Sequence, residues 1–186
     1  MQIEKLDIPE VLLIKPKVFG DHRGFFLESW NQRLYADSQL DLNFVQDNVS
    51  RSAQGVLRGL HYQWPKPQGK LVSAIFGSVF DVAVDIRLGS PTFGQWVGAL
   101  LTDQNHHRLW VPPGFAHGFQ VISPEGAIFS YKCTEYYSPA DEHSLLWNDP
   151  DINVAWHPGE PALSGKDAAA LCLSQIPPQH LPLYKS

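Results

Sequence analysis

Arg58 and His61 stand three residues apart in "GVLRGLHYQ" (55–63), where Val56, Leu57, Leu60 and Tyr62 otherwise read as a buried strand. An arginine fork suits phosphate oxygens, and an imidazole takes up and releases protons near neutral pH. Side chains alternate across a regular strand, so an odd separation sends the two to opposite faces. Gly59 lies between them, and a glycine inside a strand marks a bulge or a close backbone approach. A bulge there shifts the parity by one and sets Arg58 and His61 on one face. The strand is therefore expected to line a polar pocket.

Other groups with chemical potential follow. Lys70 opens an apolar strand in "PQGKLV", and Tyr131 shares one face of "YKCTEYY" with Cys133 while Lys132 and Thr134 take the other. Taken singly, each has an ordinary explanation as a strand-end lysine, a core tyrosine with its hydroxyl at the rim, or a hydrogen-bonded histidine. "WVPPGFAHGF" contains Pro112-x-Gly114-x-x-His117, a Pro-Gly turn feeding a histidine into a strand. It resembles the second signature of the cupin superfamily. In metal-dependent cupins the first signature supplies His-x-His and a glutamate, whereas the corresponding segment here reads His61-Tyr62-Gln63. Two histidines and a glutamine lack the carboxylate or third imidazole that usually holds a divalent metal. An inward Lys70 would repel one. The outline is that of a cupin without its metal.

These residues need a scaffold, and the chain supplies short strand-like runs punctuated by Gly, Pro, Asn and Asp: "VLLIKPKVF", "KLVSAIFGSVFDVAVDIR", "QWVGALLT", "HRLWVPP", "HGFQVIS" and "AIFSYKCTEYY". Their density predicts an antiparallel sandwich or barrel. In "VFDVAVDIR" Phe80, Val82, Val84 and Ile86 take one face and Asp81, Ala83, Asp85 and Arg87 the other. Leu27, Trp30, Leu34 and Tyr35 recur at helical spacing within 26–38. Ser164 followed by Asp167 reads as an acidic cap opening a second helix in "LSGKDAAALCL". The proline-rich end, 174–186, is expected to drape irregularly over the surface, and adjacent His106 and His107 read as a solvated loop. The expected fold is all-β, a cupin-type jelly roll with a few short helices, in a single domain over 1–186.

Composition sets the class. The 186 residues are enough for one domain with a substantial core, and 44% apolar with 18% charged residues is ordinary for a globular protein. A formal net charge of −5 argues against a nucleic-acid surface. Cys133 and Cys172, the only cysteines, stand in no metal spacing and read as free thiols of a reducing compartment. "MQIEKLDIPE" has charges and no apolar core of a signal, and no stretch has the length of a membrane span. A cytoplasmic location is expected.

Read together, "DHRGFFLESW", "FVQDNVSRSAQGVLRGLHYQ", "QGKLV", "GSVFDVAVDIRLGSPTFGQWVG", "WVPPGFAHGF", "YKCTEYYSP", "LLWNDPDI" and "LSGKDAAA" resemble, in order, the dTDP-4-dehydrorhamnose 3,5-epimerase family over roughly 10–171. The family pattern commonly reaches a proline after the alanines, where this chain continues "AAALCL". The resemblance implies a dTDP-sugar substrate with a ketone at C4, homodimers, and neither metal nor redox cofactor. Both C3 and C5 are α to the ketone, so inversion needs a base, an acid on the opposite face and a stabiliser for the enolate oxygen. By resemblance His61 is the base, Asp167 its orienting partner, Tyr131 the acid and Lys70 the oxyanion stabiliser. Arg58 and Arg23 would meet the diphosphate. Glu28, Gln46, Asp47 and Asn48 resemble nucleotide-contacting positions, and Tyr137 the aromatic that stacks on thymine. His117, Glu142 and Lys166 complete the family's contact set. In the family an N-terminal segment crosses to the partner subunit, which would place Arg23 and Glu28 in trans.

Three other activities compete with this one. A C3-only epimerase would use the same catalytic residues and differ in pocket shape. A metal-dependent cupin oxygenase would need the missing ligands. A non-catalytic sugar-nucleotide binding module would have no use for an acid–base pair.

Overall fold

The computed structural model describes residues 1–38 and 40–184. Among them run thirteen strands: β1 (Gln2–Lys5), β2 (Leu12–Lys15), β3 (Val18–Asp21), β4 (Gly24–Leu27), β5 (Gln46–Ser52), β6 (Leu57–Gln63), β7 (Lys70–Phe76), β8 (Ser78–Asp85), β9 (Trp96–Thr102), β10 (Arg108–Val111), β11 (Phe115–Val121), β12 (Ala127–Cys133) and β13 (Glu142–Ser144). Two short helices, α1 (Gln32–Asp37) and α2 (Gly165–Ala168), complete the regular elements with two 3₁₀ turns near the C-terminus. A six-stranded sheet in the order β1-β2-β10-β7-β12-β5 faces a five-stranded sheet in the order β13-β6-β11-β8-β9. The named strands pair antiparallel, and β3 and β4 form a separate hairpin. The expected all-β sandwich is observed.

The core fills the space between the sheets. Val72, Ala74, Leu109 and Phe129 from the large sheet meet Val79, Ala83, Leu101 and Phe119 from the small one. The Phe119 and Phe129 rings stack with centroids 4.0 Å apart. The alternation in β8 holds, and both of its faces are buried: Val79, Asp81 and Ala83 point between the sheets, while Val82, Val84 and Ile86 form a second cluster on the outer side.

That second cluster corrects the expectation for the tail. Leu173, Ile176 and Leu181 are buried against it, Leu171 bridges Leu145, and Leu183 bridges Leu88. Asp149 accepts the Leu173 N–H at 2.6 Å and clamps the start of the segment. The outer face of the small sheet has no second sheet to cover it, so the chain end serves as a strap; residues 185–186 lie outside the described residues.

The first helix is shorter than its periodicity predicts. Phe26 and Leu27 belong to the hairpin, and Asn31 starts the helix by accepting the Leu34 N–H at 3.2 Å. Trp30, Tyr35 and Phe44 then stack into an aromatic cover for the outer face of the large sheet. His106 is not free in solvent, because the hairpin folds back and sets Phe25 against its ring at 4.3 Å.

Candidate active site

The bulge is where the sequence placed it. His61 pairs with His117 and Arg58 with Phe119, so three steps along β6 match two along β11. Gly59 takes φ +130°, and a Cβ there would meet Gly118 Cα at 2.6 Å and the His117 carbonyl at 2.9 Å. Only glycine permits that approach. Arg58 and His61 consequently both face the large sheet: Arg58 Nε donates to Ser52 Oγ on β5 at 2.9 Å, and His61 opens into a cavity of about 330 Å³ shared with Lys70 and Tyr131.

His61 Nε2 lies 2.6 Å from Asp167 Oδ1, with the imidazole 28% and the carboxylate 4% exposed. Helix α2 delivers Asp167. Ser164 accepts the Asp167 N–H at 3.1 Å as expected, yet the carboxylate turns to His61 rather than closing a capping box. Burial pushes the Asp167 carboxyl up, but the hydrogen bond and charge of His61, with the Ser164 bond, outweigh it and hold it below the usual carboxylate range. An ionised carboxylate only accepts, so a neutral His61 ring donates its Nε2–H to Asp167 and leaves Nδ1 as the acceptor.

Tyr131 sits in β12 between Asn48 and Val72. Burial pushes its phenol up, reinforced by Cys133 and opposed by Arg58, so the hydroxyl keeps its proton. Lys70 opens β7, where burial pushes its ammonium down against the opposing pull of Cys133, Glu142 and Asp81. A proton acceptor, a proton donor and a cation thus converge on one cavity.

The rim is an interlocked set. Glu142 receives Lys166 Nζ at 2.5 Å and the Tyr137 hydroxyl at 3.0 Å. Burial raises the Glu142 carboxyl, and those two partners more than reverse it. The Tyr137 N–H donates to Gln46 Oε1, and Gln46 donates to Asn48. The Tyr137 ring is 48% exposed, an open platform at the cavity mouth.

Four expected contact residues stand elsewhere. Asp47 points to the other face of β5 and pairs with Lys132 at 2.8 Å, because its neighbours Gln46 and Asn48 occupy the inward positions. Arg23, at the tip of the β3–β4 hairpin, is paired with Asp21 at 2.6 Å, and Glu28 accepts from Asn31. His117 is buried and does not line the cavity, its Nε2 on both oxygens of Asp81 at 2.9 and 3.0 Å. Gln63 is also turned away: its amide holds the carbonyls of Lys66 and Tyr136 and the Ser138 N–H. Among the described residues no three His, Cys, Asp or Glu side chains are grouped to hold a metal ion.

Sequence reasoning did not single out Gln68, which joins the cavity wall, or buried Asp81. Asp81 did carry a signal, an acid set with Asp85 on one face of an otherwise apolar strand.

Residues 5–175 match the family model described as dTDP-4-dehydrorhamnose 3,5-epimerase. The chain belongs to the dTDP-4-dehydrorhamnose 3,5-epimerase family. Within it, the enzyme of Pseudomonas aeruginosa is 55% identical over 169 residues, 90% of this chain and 93% of that one. A dTDP-6-deoxy-D-glucose-3,5-epimerase of Legionella pneumophila, solved in complex with dTDP-4-keto-L-rhamnose, superposes with a TM-score of 0.96 at 52% identity, covering 100% of this chain and 99% of its own. A 3'-monoepimerase from Streptomyces bikiniensis, in complex with dTDP-quinovose, superposes at 0.90 with 33% identity, covering 97% and 92%. Both of these 3,5-epimerases thus stand nearer in sequence than this monoepimerase.

Proposed function

We propose that the protein inverts C3 and C5 of dTDP-4-dehydro-6-deoxy-D-glucose, giving dTDP-4-dehydro-L-rhamnose for rhamnose-containing polysaccharide. The observation that carries this is the His61–Asp167 pair at 2.6 Å on the same cavity as Tyr131 and Lys70. His61 Nδ1 removes the hydrogen α to the ketone, and the electron pair of the broken C–H bond moves onto O4. The Lys70 ammonium stabilises that enolate oxygen. Tyr131 then gives its proton to the opposite face of the carbon, and Arg58 eases the phenolate that results. Solvent resets both groups, and the cycle repeats at the second centre.

Binding is assigned to the rim. Arg58 takes the diphosphate, Tyr137 stacks on thymine, and Gln46, Asn48, Glu142 and Lys166 frame the nucleotide. Arg23 and Glu28 act in the partner's pocket of a cytoplasmic homodimer. Support comes from the hairpin, where Phe19, Phe25 and Phe26 are 51%, 62% and 66% exposed, a patch that calls for cover. Among the described residues no helix is long and apolar enough to cross a membrane.

The decisive experiment is proton NMR of the substrate with pure protein in D₂O, with a reductase trapping product. Deuterium and inversion at both C3 and C5 are expected. Change at C3 alone would move the protein to the monoepimerase branch, and no exchange at all would remove the enzymatic assignment. Phe26→Asp is expected to yield monomers in light scattering and to lose activity on dilution; a fully active monomer would remove the trans contribution.

A further inference from the structure

Gln68 lines the catalytic cavity, yet neither the reaction nor the nucleotide contacts described above use it. It stands two residues before Lys70, and both line the same cavity. The backbone between them is pinned to the chain leaving β12. The Gly69 N–H donates to Thr134 Oγ1 at 2.8 Å, and the Thr134 N–H donates to the Gly69 carbonyl at 3.0 Å. Gln68 Nε2 donates to the Glu135 carbonyl at 2.9 Å. A carbonyl only accepts, so that bond settles which end of the amide is nitrogen. Oε1 is the other end, and among the described residues no donor reaches it.

Every other amide or carboxylate of the wall is already partnered within the protein. Gln46 Oε1 receives the Tyr137 N–H, Asn48 Oδ1 receives Gln46 Nε2, and Glu142 receives Lys166 and the Tyr137 hydroxyl. Lys70 and Tyr131 enter the reaction as donors. A fixed acceptor without a donor, on the wall of a polar cavity, fits a hydroxyl of the ligand. Its neighbour in sequence selects which hydroxyl. Lys70 meets O4, and of the two carbons flanking C4 only C3 bears a hydroxyl, because C5 bears the methyl group. We propose that Gln68 Oε1 accepts a hydrogen bond from the C3 hydroxyl of the sugar, which makes Gln68 a specificity-determining residue for sugars that carry a hydroxyl beside the ketone. The Glu135 carbonyl holds the amide before the ligand arrives, so little ordering is left to binding. A sugar without the C3 hydroxyl leaves the acceptor unpaired in the filled cavity and is disfavoured for that reason.

This rests on the epimerase assignment for the identity of the ligand, but the contact is testable without turnover. Titration calorimetry is run with dTDP-6-deoxyglucose, which has no ketone and does not react, with its 3-deoxy counterpart, and with dTDP. Wild type is expected to bind the 3-hydroxy ligand about 3- to 10-fold more tightly than the 3-deoxy one. Gln68→Met, of similar length but without the acceptor, should bind the two alike, and both proteins should bind dTDP equally. A folded Gln68→Met protein that keeps the wild-type ratio would overturn the proposal. So would an equal loss of affinity for dTDP, which would set Gln68 against the nucleotide. With the reactive substrate in D₂O, Gln68→Met should slow deuterium entry at C3 more than at C5, whereas a merely structural disturbance would slow both. Should Gln68→Met not fold, Gln68→Ala carries the same comparison, and equal affinities of wild type for the two sugar ligands would overturn the proposal with no variant at all. Wild type that shows the expected ratio yet exchanges no α-hydrogen would defeat the epimerase assignment alone and leave the contact standing.

Discussion

Asp167 Oδ1 meets His61 Nε2 at 2.6 Å across a sequence separation of 106 residues. The bond fixes which ring nitrogen is free, so it governs reactivity more than binding. His61→Asn is expected to abolish α-hydrogen exchange. Asp167→Asn, which no longer enforces the tautomer, should lower kcat by about 10²–10⁴-fold. Calorimetric dTDP affinity should stay close to wild type for both, and near-wild-type turnover in either would remove the assigned base.

Tyr131→Phe removes a proton donor while leaving His61 and Lys70 in place. Solvent deuterium should still enter the substrate, with inversion impaired at one centre. Equal loss of exchange and inversion in the D₂O experiment would argue against separate acid and base faces.

Tyr137 offers an open ring beside Gln46 and Glu142. Base–aromatic stacking contributes roughly 1–3 kcal/mol, so Tyr137→Ala should raise KM by about 5- to 150-fold with a smaller change in kcat. Steady-state kinetics check this, and an unchanged KM would place the thymine elsewhere.

Asp85 governs acid stability. Burial pushes its carboxyl up, but the Arg87, Ser90 and Thr92 hydrogen bonds together hold it below the usual carboxylate range. A carboxyl lowered on folding contributes stability fully above its unfolded pKa of about 3.9 and loses it as pH falls through the folded value. Asp85→Asn should cost about 3 kcal/mol at pH 7, where Arg87 loses its buried partner and keeps only Glu10, and progressively less below pH 4. Urea midpoints at pH 7, 4 and 3 measure the difference; a pH-independent cost would contradict it.

Gly59→Ala forces a Cβ against Gly118 and the His117 carbonyl in a backbone region disfavoured for L-residues. The expected loss is about 2–4 kcal/mol, read as a lower thermal midpoint, together with lost activity as Arg58 and His61 are displaced. A stable, active variant would show that the bulge relaxes easily.

Legibility followed the source of order. Strands whose alternation serves the core, such as β8 and β11, were readable from hydrophobic pattern alone. β5 was not, because its inward positions, Gln46, Asn48, Ser50 and Ser52, are all polar, the first two lining the cavity, and so lack the apolar beat of a strand. Gly59 announced the bulge, since backbone contact leaves its mark on residue type. The Asp167–His61 contact left none at short range: only the family resemblance joined them. The helix over 26–38 was overread because Leu27 belongs to a hairpin and the helix starts only after its N-cap, Asn31. The tail over 174–186 misled for the opposite reason, its prolines hiding the buried Ile176 and Leu181.

The strap at the C-terminus also dictates when this protein becomes a catalyst. Every wall of the cavity is encoded by residue 142, yet the partner of His61 arrives at 167, and the hydrophobic anchors that secure its helix extend to Leu181. A nascent chain emerging from the ribosome can therefore assemble both sheets before it possesses a competent base. Reactivity is withheld until the segment from Asp167 to Leu181 has been made, so a chain terminated before it holds the pocket but not the dyad.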